Sequence, residues 1–293
     1  GPRRLLIALV VLVALVPAGA VVYELARSRT EHRATPPPPP THIVRGPHPA
    51  RVAPVALATQ QAHAITRLQS LGVPVFCGAS HGNEIALTFD DGPGPYTGRI
   101  LGVLRRYQAA ATFFVVGDRI HYWPKLPAWE AAIGAVGDHT WSHADLRRLS
   151  GTAARAEIDR ARTAIEEISH APVRLFRTPY GDDPAWLGHA LAARALLEVR
   201  WSVDPSDYLP GTTAAKLVQR VEAGLRPGAI VLLHDLKPVT LRALPKLLQA
   251  IKARHLRAVT VPELLRSDAP SYRQLEADAR GRGCVDLATA RRE

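Results

Sequence analysis

Short apolar runs alternate with amphipathic stretches along residues 85–261, and that alternation predicts repeated strand–helix units. Ile85, Leu87 and Phe89 mark a first strand, and residues 100–107 are helical in spacing. The run 111–116 (Ala-Thr-Phe-Phe-Val-Val) is rich in β-formers. Ile158, Ala161, Ile165 and Ile168 place one apolar stripe on a helix over 152–169. Further strands are predicted over 173–176, 196–203, 229–233 and 256–261, with helices over 183–193, 214–223 and 241–253 between them. Such a series builds a parallel sheet with helices outside it, either open or closed into a barrel. No sequence repeat of fixed period accompanies it. Ahead of the series, Ile65, Leu68 and Leu71 sit at helical spacing and Gly72 follows as a C-cap residue. A short helix over 58–71 is therefore expected to pack on the outside of the main domain.

The first 52 residues read differently. After Arg3-Arg4, residues 5–22 carry no charge, and 18 residues span about 27 Å as a helix, close to a bilayer's hydrocarbon thickness of ~30 Å. The stretch is expected to be a membrane anchor or, if cleaved near Ala18-Gly19-Ala20, a signal peptide. Pro36 to Pro40 then form a stiff polyproline spacer within a polar stalk. Five segments result: 1–30 anchor or signal, 31–52 linker, 53–83 helical lead-in, 84–266 catalytic domain and 267–293 tail. The domain is expected outside a cell membrane, tethered in a single pass, or secreted.

The formal charge of +11 invites a nucleic-acid reading. The excess is spread out, however, at +5 over residues 1–52 and +6 over the rest, and no basic run is interleaved with aromatics. No nucleic-acid partner is expected, and the chain is expected to be a monomer. Two cysteines exclude a Cys-rich zinc module and a multi-disulfide framework. Because the chain is exported and Cys77 and Cys284 flank the main domain, they are expected to form a disulfide.

Polar residues gather where the predicted strands end. Thr88-Phe89-Asp90-Asp91-Gly92 sets two carboxylates after the first strand, and adjacent buried charges of one sign need a cationic partner. Alone, that sequence is as readily a loop cap. His139-Thr-Trp-Ser-His143 spaces two imidazoles so that one helical turn aims both at a single divalent ion. A lone pair of this kind arises by chance, and a third ligand is required; Asp91 is the obvious oxygen donor. Two His and one carboxylate leave open positions, the pattern of a catalytic metal. Arg177-Thr-Pro-Tyr-Gly181, Asp204-Pro-Ser-Asp207-Tyr208 and Leu232-Leu-His234 follow further strands. Each alone is an ordinary turn or a structural histidine. Together at strand C-termini they mark the rim where parallel β/α folds build sites.

These five clusters, in this order across residues 84–266, resemble the motifs of the polysaccharide deacetylases with a NodB-homology domain, carbohydrate esterase family four. The resemblance implies an α/β fold, a distorted (β/α)7 barrel. It implies a Zn²⁺ site, or one for another divalent ion such as Co²⁺, formed by Asp91, His139 and His143. It implies Asp90 as general base paired with Arg177, the backbone N–H of Tyr180 as oxyanion donor, and His234 as general acid oriented by Asp207. Leu232 is implied in a small pocket for the acetyl methyl group. Tyr208 stands where the family usually has Trp, a change in the wall of the substrate groove. Trp141, Tyr180 and Trp186 could stack on sugars or simply pack. The implied reaction removes acetyl groups from N-acetylglucosamine in a polysaccharide. The expected tether and stalk favour peptidoglycan among acetylated cell-wall and extracellular glycans. The alternatives are an O-acetyl xylan esterase and a non-catalytic glycan-binding protein; retention of base, acid and ligands argues against the latter.

Overall fold

The computed structural model describes residues 54–282 and residue 284. The expected anchor and Pro-rich linker lie outside the described residues. Among the described residues no helix is long and apolar enough to cross a membrane. Seven strands form one sheet in which every strand pairing is parallel. They are β1 (Glu84–Asp90), β2 (Thr112–Val115), β3 (Ala135–Asp138), β4 (Leu175–Phe176), β5 (Leu197–Glu198), β6 (Ile230–His234) and β7 (Arg257–Val259). The spatial order is β5-β4-β3-β2-β1-β6. β7 pairs with the start of β1, on Glu84 to Ala86, and β2 pairs with its end, on Thr88 to Asp90. The helices are α1 (Pro54–Gln69), α2 (Thr97–Arg106), α3 (Leu126–Ile133), α4 (Gly151–Ser169), α5 (Leu187–Ala192), α6 (Ala214–Gly224), α7 (Pro238–Ala253), α8 (Val261–Ser267) and α9 (Tyr272–Ala277).

Alternation along the strands sorts side chains to two faces. Ile85, Leu87, Phe89, Phe113, Val115, Val136 and Phe176 belong to one cluster, which includes the apolar stripes of α2, α4, α6 and α7. On α4 that stripe is Ala154, Ile158, Ala161 and Ile165, and burying each isoleucine side chain contributes about 1.5–3 kcal/mol. The Ser150 hydroxyl accepts from the Ala153 N–H and so starts this helix. The neighbouring strand positions Ala86, Phe114, Leu175, Leu197, Ile230 and Val259 form the second cluster with Ile65 and Leu68 of α1 and Leu264 and Leu265 of α8. Both faces of β1 are thus covered, which explains an uninterrupted buried run from Ile85 to Asp90.

The sheet curls. Beyond β5 the chain runs on to Val203, which pairs with Val231 of β6. The Leu232 N–H donates to the Val203 carbonyl. The result is a parallel-stranded half-barrel whose two ends are drawn together by a single bridge. Cys77 and Cys284 are joined as a disulfide with Cα atoms 5.9 Å apart. It closes a separation of 207 residues, worth about 5.4 kcal/mol in the chain-entropy account.

Several sequence expectations are corrected. Four of the helices and strands were not foreseen, α3, β3, α8 and α9. The helix expected over 183–193 is only α5, because Asp183-Pro184 keeps the chain extended ahead of it. The strand expected to reach residue 261 stops at Val259, where Thr260 and Glu263 form a capping box that starts α8. Leu71 lies beyond α1 and is exposed.

Candidate active site

Four strands deliver the polar residues to one rim. β1 ends in Asp90, β6 ends in His234, and these two are register partners on adjacent strands. β3 leads into His139, and β4 leads into Arg177. The His139–His143 segment is not the helical turn its spacing suggested. It is a loop in which Thr140 and His143 both adopt left-handed backbone, with φ of 66° and 58°. Asp91 is left-handed too, at φ 71°. Gly92 follows because a Cβ there would fall 2.3 Å from Asp235 Oδ2.

The loop nevertheless brings the two imidazoles to Asp91. Nε2 of His143 lies 3.1 Å, and Nε2 of His139 3.5 Å, from Asp91 Oδ1. One ligating atom from each of the three residues falls within 4.8 Å of the others. The His139 Nδ1–H donates to the Arg177 carbonyl at 2.8 Å, so Nε2 carries a lone pair toward Asp91. Asp91 Oδ1 is buried without a hydrogen-bond partner. Burial acts to raise the Asp91 carboxyl, but His139 and His143, when they donate a hydrogen bond or carry charge, outweigh it and hold the group well below the usual carboxylate range. A carboxylate oxygen and imidazole lone pairs converging on one point fit a divalent cation and would repel one another without it.

Asp90 sits beside this cluster, buried, with its Oδ2 3.9 Å from His139 Nε2. Its Oδ1 accepts from Arg177 Nη1 at 2.7 Å. Arg177 is fully buried, its other donors reaching the Thr88 hydroxyl and the Val199 and Arg200 carbonyls. Burial lowers the Arg177 pKa, opposed by Asp90. A guanidinium with all three nitrogens hydrogen-bonded and stacked 4.1 Å from the Phe114 ring is a rigid counter-charge for Asp90.

His234 is paired with Asp207: the imidazole Nδ1 is 2.6 Å from Oδ1, and the His234 backbone N–H donates to Oδ2 at 2.8 Å. The Thr240 hydroxyl also donates to Oδ2. Burial works against the imidazolium, but Asp207, with Asp91 and Asp90 behind it, pushes the His234 pKa up to about 9. Tyr180 and Tyr208 are exposed, and their rings meet those of His143 and His234 edge-on at 4.7 and 5.4 Å. Leu232 is buried in β6 opposite Thr88.

Sequence reasoning missed Asp235, although it directly follows His234. Asp235 is fully buried, accepts from the Thr97 hydroxyl and supports Gly92. Glu130 of α3 is buried nearby in charge terms; both its oxygens and Asp235 Oδ1 lack hydrogen-bond partners. Burial pushes Asp235 up to about 7, well above its unfolded value of 3.8. Because the folded pKa is the raised one, the stability it contributes is present at acid pH and lost as pH rises through about 7. Fully developed, that loss is on the order of 4 kcal/mol. Asp235→Asn, which keeps the Thr97 acceptor without a charge, is expected to raise Tm at pH 8 and to change it little at pH 4. An equal effect at both pH values, followed by thermal unfolding, would contradict this reading.

Fold and rim together define a parallel α/β protein with a candidate metal centre at the strand C-termini. Residues 78–198 match the family model described as polysaccharide deacetylase. A chitooligosaccharide deacetylase of Bradyrhizobium sp. (strain ANU 289) is 38% identical over 202 residues, covering 62% of this chain and 90% of that protein. The peptidoglycan-N-acetylmuramic acid deacetylase PdaC of Bacillus subtilis (strain 168) is 36% identical over 183 residues, 61% of this chain. The match spans only 38% of PdaC's length. The crystal structure of the Bc1960 peptidoglycan N-acetylglucosamine deacetylase superposes with a TM-score of 0.63 at 28% identity, over 66% of this chain and 92% of that one. The chain belongs to the polysaccharide deacetylase family, hydrolases that act on carbon–nitrogen bonds other than peptide bonds.

Proposed function

We propose that this protein is a metal-dependent N-deacetylase of N-acetylglucosamine-type polysaccharide, with peptidoglycan its substrate, releasing acetate and leaving a free amino sugar. The observation that carries the reading is the convergence of Asp91, His139 and His143 beside Asp90, with His234 in register on the next strand. Asp91, His139 and His143 hold the ion, Zn²⁺ or Co²⁺. When bound, it polarises the acetyl carbonyl and lowers the pKa of water. Asp90, paired with Arg177, takes the proton of the attacking water. The Tyr180 backbone N–H faces the oxyanion that develops. His234, held protonated by Asp207, delivers its proton to the departing amine. Leu232 lines the space for the acetyl methyl group. The strand series supports reading the curled sheet as a distorted (β/α)7 barrel.

Peptidoglycan is favoured because relatives named for it stand among the similar proteins and because the uncharged run 5–22 and the stalk suit a domain tethered outside the membrane. The Cys77–Cys284 bridge is compatible with such an oxidising location. Acetate release from a panel of peptidoglycan, chitooligosaccharides and acetylxylan tests the proposal. Release from peptidoglycan at the highest kcat/KM is expected. Release from acetylxylan alone would make the protein an O-acetyl esterase.

A further inference from the structure

The two histidines of the candidate metal centre are oriented by different means. His139 is buried, and its Nδ1–H is fixed on a backbone carbonyl, that of Arg177. His143 is half-buried, and the group 3.2 Å from its Nδ1 is a side chain, the Tyr180 hydroxyl. Tyr180 reaches it from an unfavourable backbone: its φ is 63°, left-handed, at a cost of roughly 1–2 kcal/mol for a residue of this kind. The next residue, Gly181, is left-handed too, and a Cβ there would lie 2.9 Å from Trp201 and 3.1 Å from Arg200. Arg200 clamps the same turn, donating to the Gly181 carbonyl and, through Nη1, to Asp183 Oδ1 at 2.8 Å. The turn is thus over-determined from beneath, and the strained residue directs its phenol across the His143 ring.

We infer that the Tyr180 hydroxyl is a positioning group for His143, accepting its Nδ1–H so that Nε2 presents a lone pair to the metal. The inference rests on the metal-site reading above and adds a second, separable role to Tyr180. The backbone N–H proposed to meet the oxyanion belongs to the main chain; the hydroxyl that orients His143 belongs to the side chain. Because the phenol is 66% exposed and lies on the open face of the site, the orienting contact is accessible to substrate, whereas that of His139 is not.

Tyr180→Phe separates the two roles, since it keeps the backbone amide and the ring and removes only the hydroxyl. Zn²⁺ affinity of the full chain is measured by competition with a chromophoric chelator. The variant is expected to bind about 10-fold more weakly, the effect of losing an outer partner of a metal-binding histidine. Imidazole ¹⁵N–¹H NMR of the Zn²⁺-loaded proteins gives a second readout, since with Nε2 on the ion the Nδ1–H of His143 is left to report its own partner. In the wild type that Nδ1–H is expected to be shifted downfield and protected from exchange by the Tyr180 hydroxyl 3.2 Å away, and Tyr180→Phe is expected to lose both features while His139 keeps them. Equal Zn²⁺ affinity of the two proteins, or a His143 Nδ1–H signal unchanged by Tyr180→Phe, would overturn the inference. Failure of the wild type itself to bind Zn²⁺ would instead overturn the metal-site reading.

Discussion

Asp90→Asn is expected to retain its divalent ion and lose about 10²–10⁴-fold in kcat for acetate release. Asn is nearly isosteric and still offers an oxygen to Arg177 Nη1, now 2.7 Å from Asp90 Oδ1, but it cannot accept a proton from water. The change also strands a fully buried guanidinium without its counter-charge. Breaking a buried pair in this way costs about 3–5 kcal/mol, so Tm is expected to fall as well. Steady-state kinetics with metal analysis of the same sample checks both parts. A variant that keeps metal, folds and turns over at the wild-type rate would place water activation on another residue.

His234→Ala is expected to cost about 10²–10⁴-fold on an N-acetyl glycan and much less on an activated aryl acetate. An amine is a poor leaving group until protonated, whereas an aryloxide departs without a proton. His234 is suited to the task because Asp207 overcomes burial and raises its pKa to about 9. The proton is therefore available below that pH and is lost as pH rises through it. Metal content should not change, since His234 is not among the ligands. Loss of metal would mean that His234 has a ligand role. Equal loss on both substrates would mean that it positions substrate and does not deliver the proton.

The strand–helix alternation was legible wherever strands carry bulky apolar side chains, as in β1, β2 and β6. β3 escaped because its sequence, Ala-Val-Gly-Asp, holds one bulky aliphatic residue and ends in a carboxylate. Gly137 is small there because a Cβ would come 2.7 Å from the Phe114 ring, a tertiary constraint invisible along the chain. Missing β3 led directly to the wrong geometry for His139 and His143. Their spacing suits a helical turn equally well, and the left-handed Thr140 and His143 depend on the loop docking onto neighbouring chain. The Gly117 and Asp118 N–H groups donate to the Thr140 and Trp141 carbonyls there. The motifs located the candidate residues, because their chemistry is local in sequence. What supports them was not legible: Asp235 beneath Gly92, and Arg200 beneath the Tyr180 turn, act across long separations and carry no pattern of their own.

The central claim is that chemistry at this rim requires the ion proposed to lie between Asp91, His139 and His143. The most direct test strips the purified full chain of metal and follows acetate release from peptidoglycan while Zn²⁺ or Co²⁺ is titrated back. No release from the stripped protein is predicted, with activity returning in proportion to the ion added and reaching its plateau near one ion per chain. Undiminished release by rigorously metal-free protein would contradict the account.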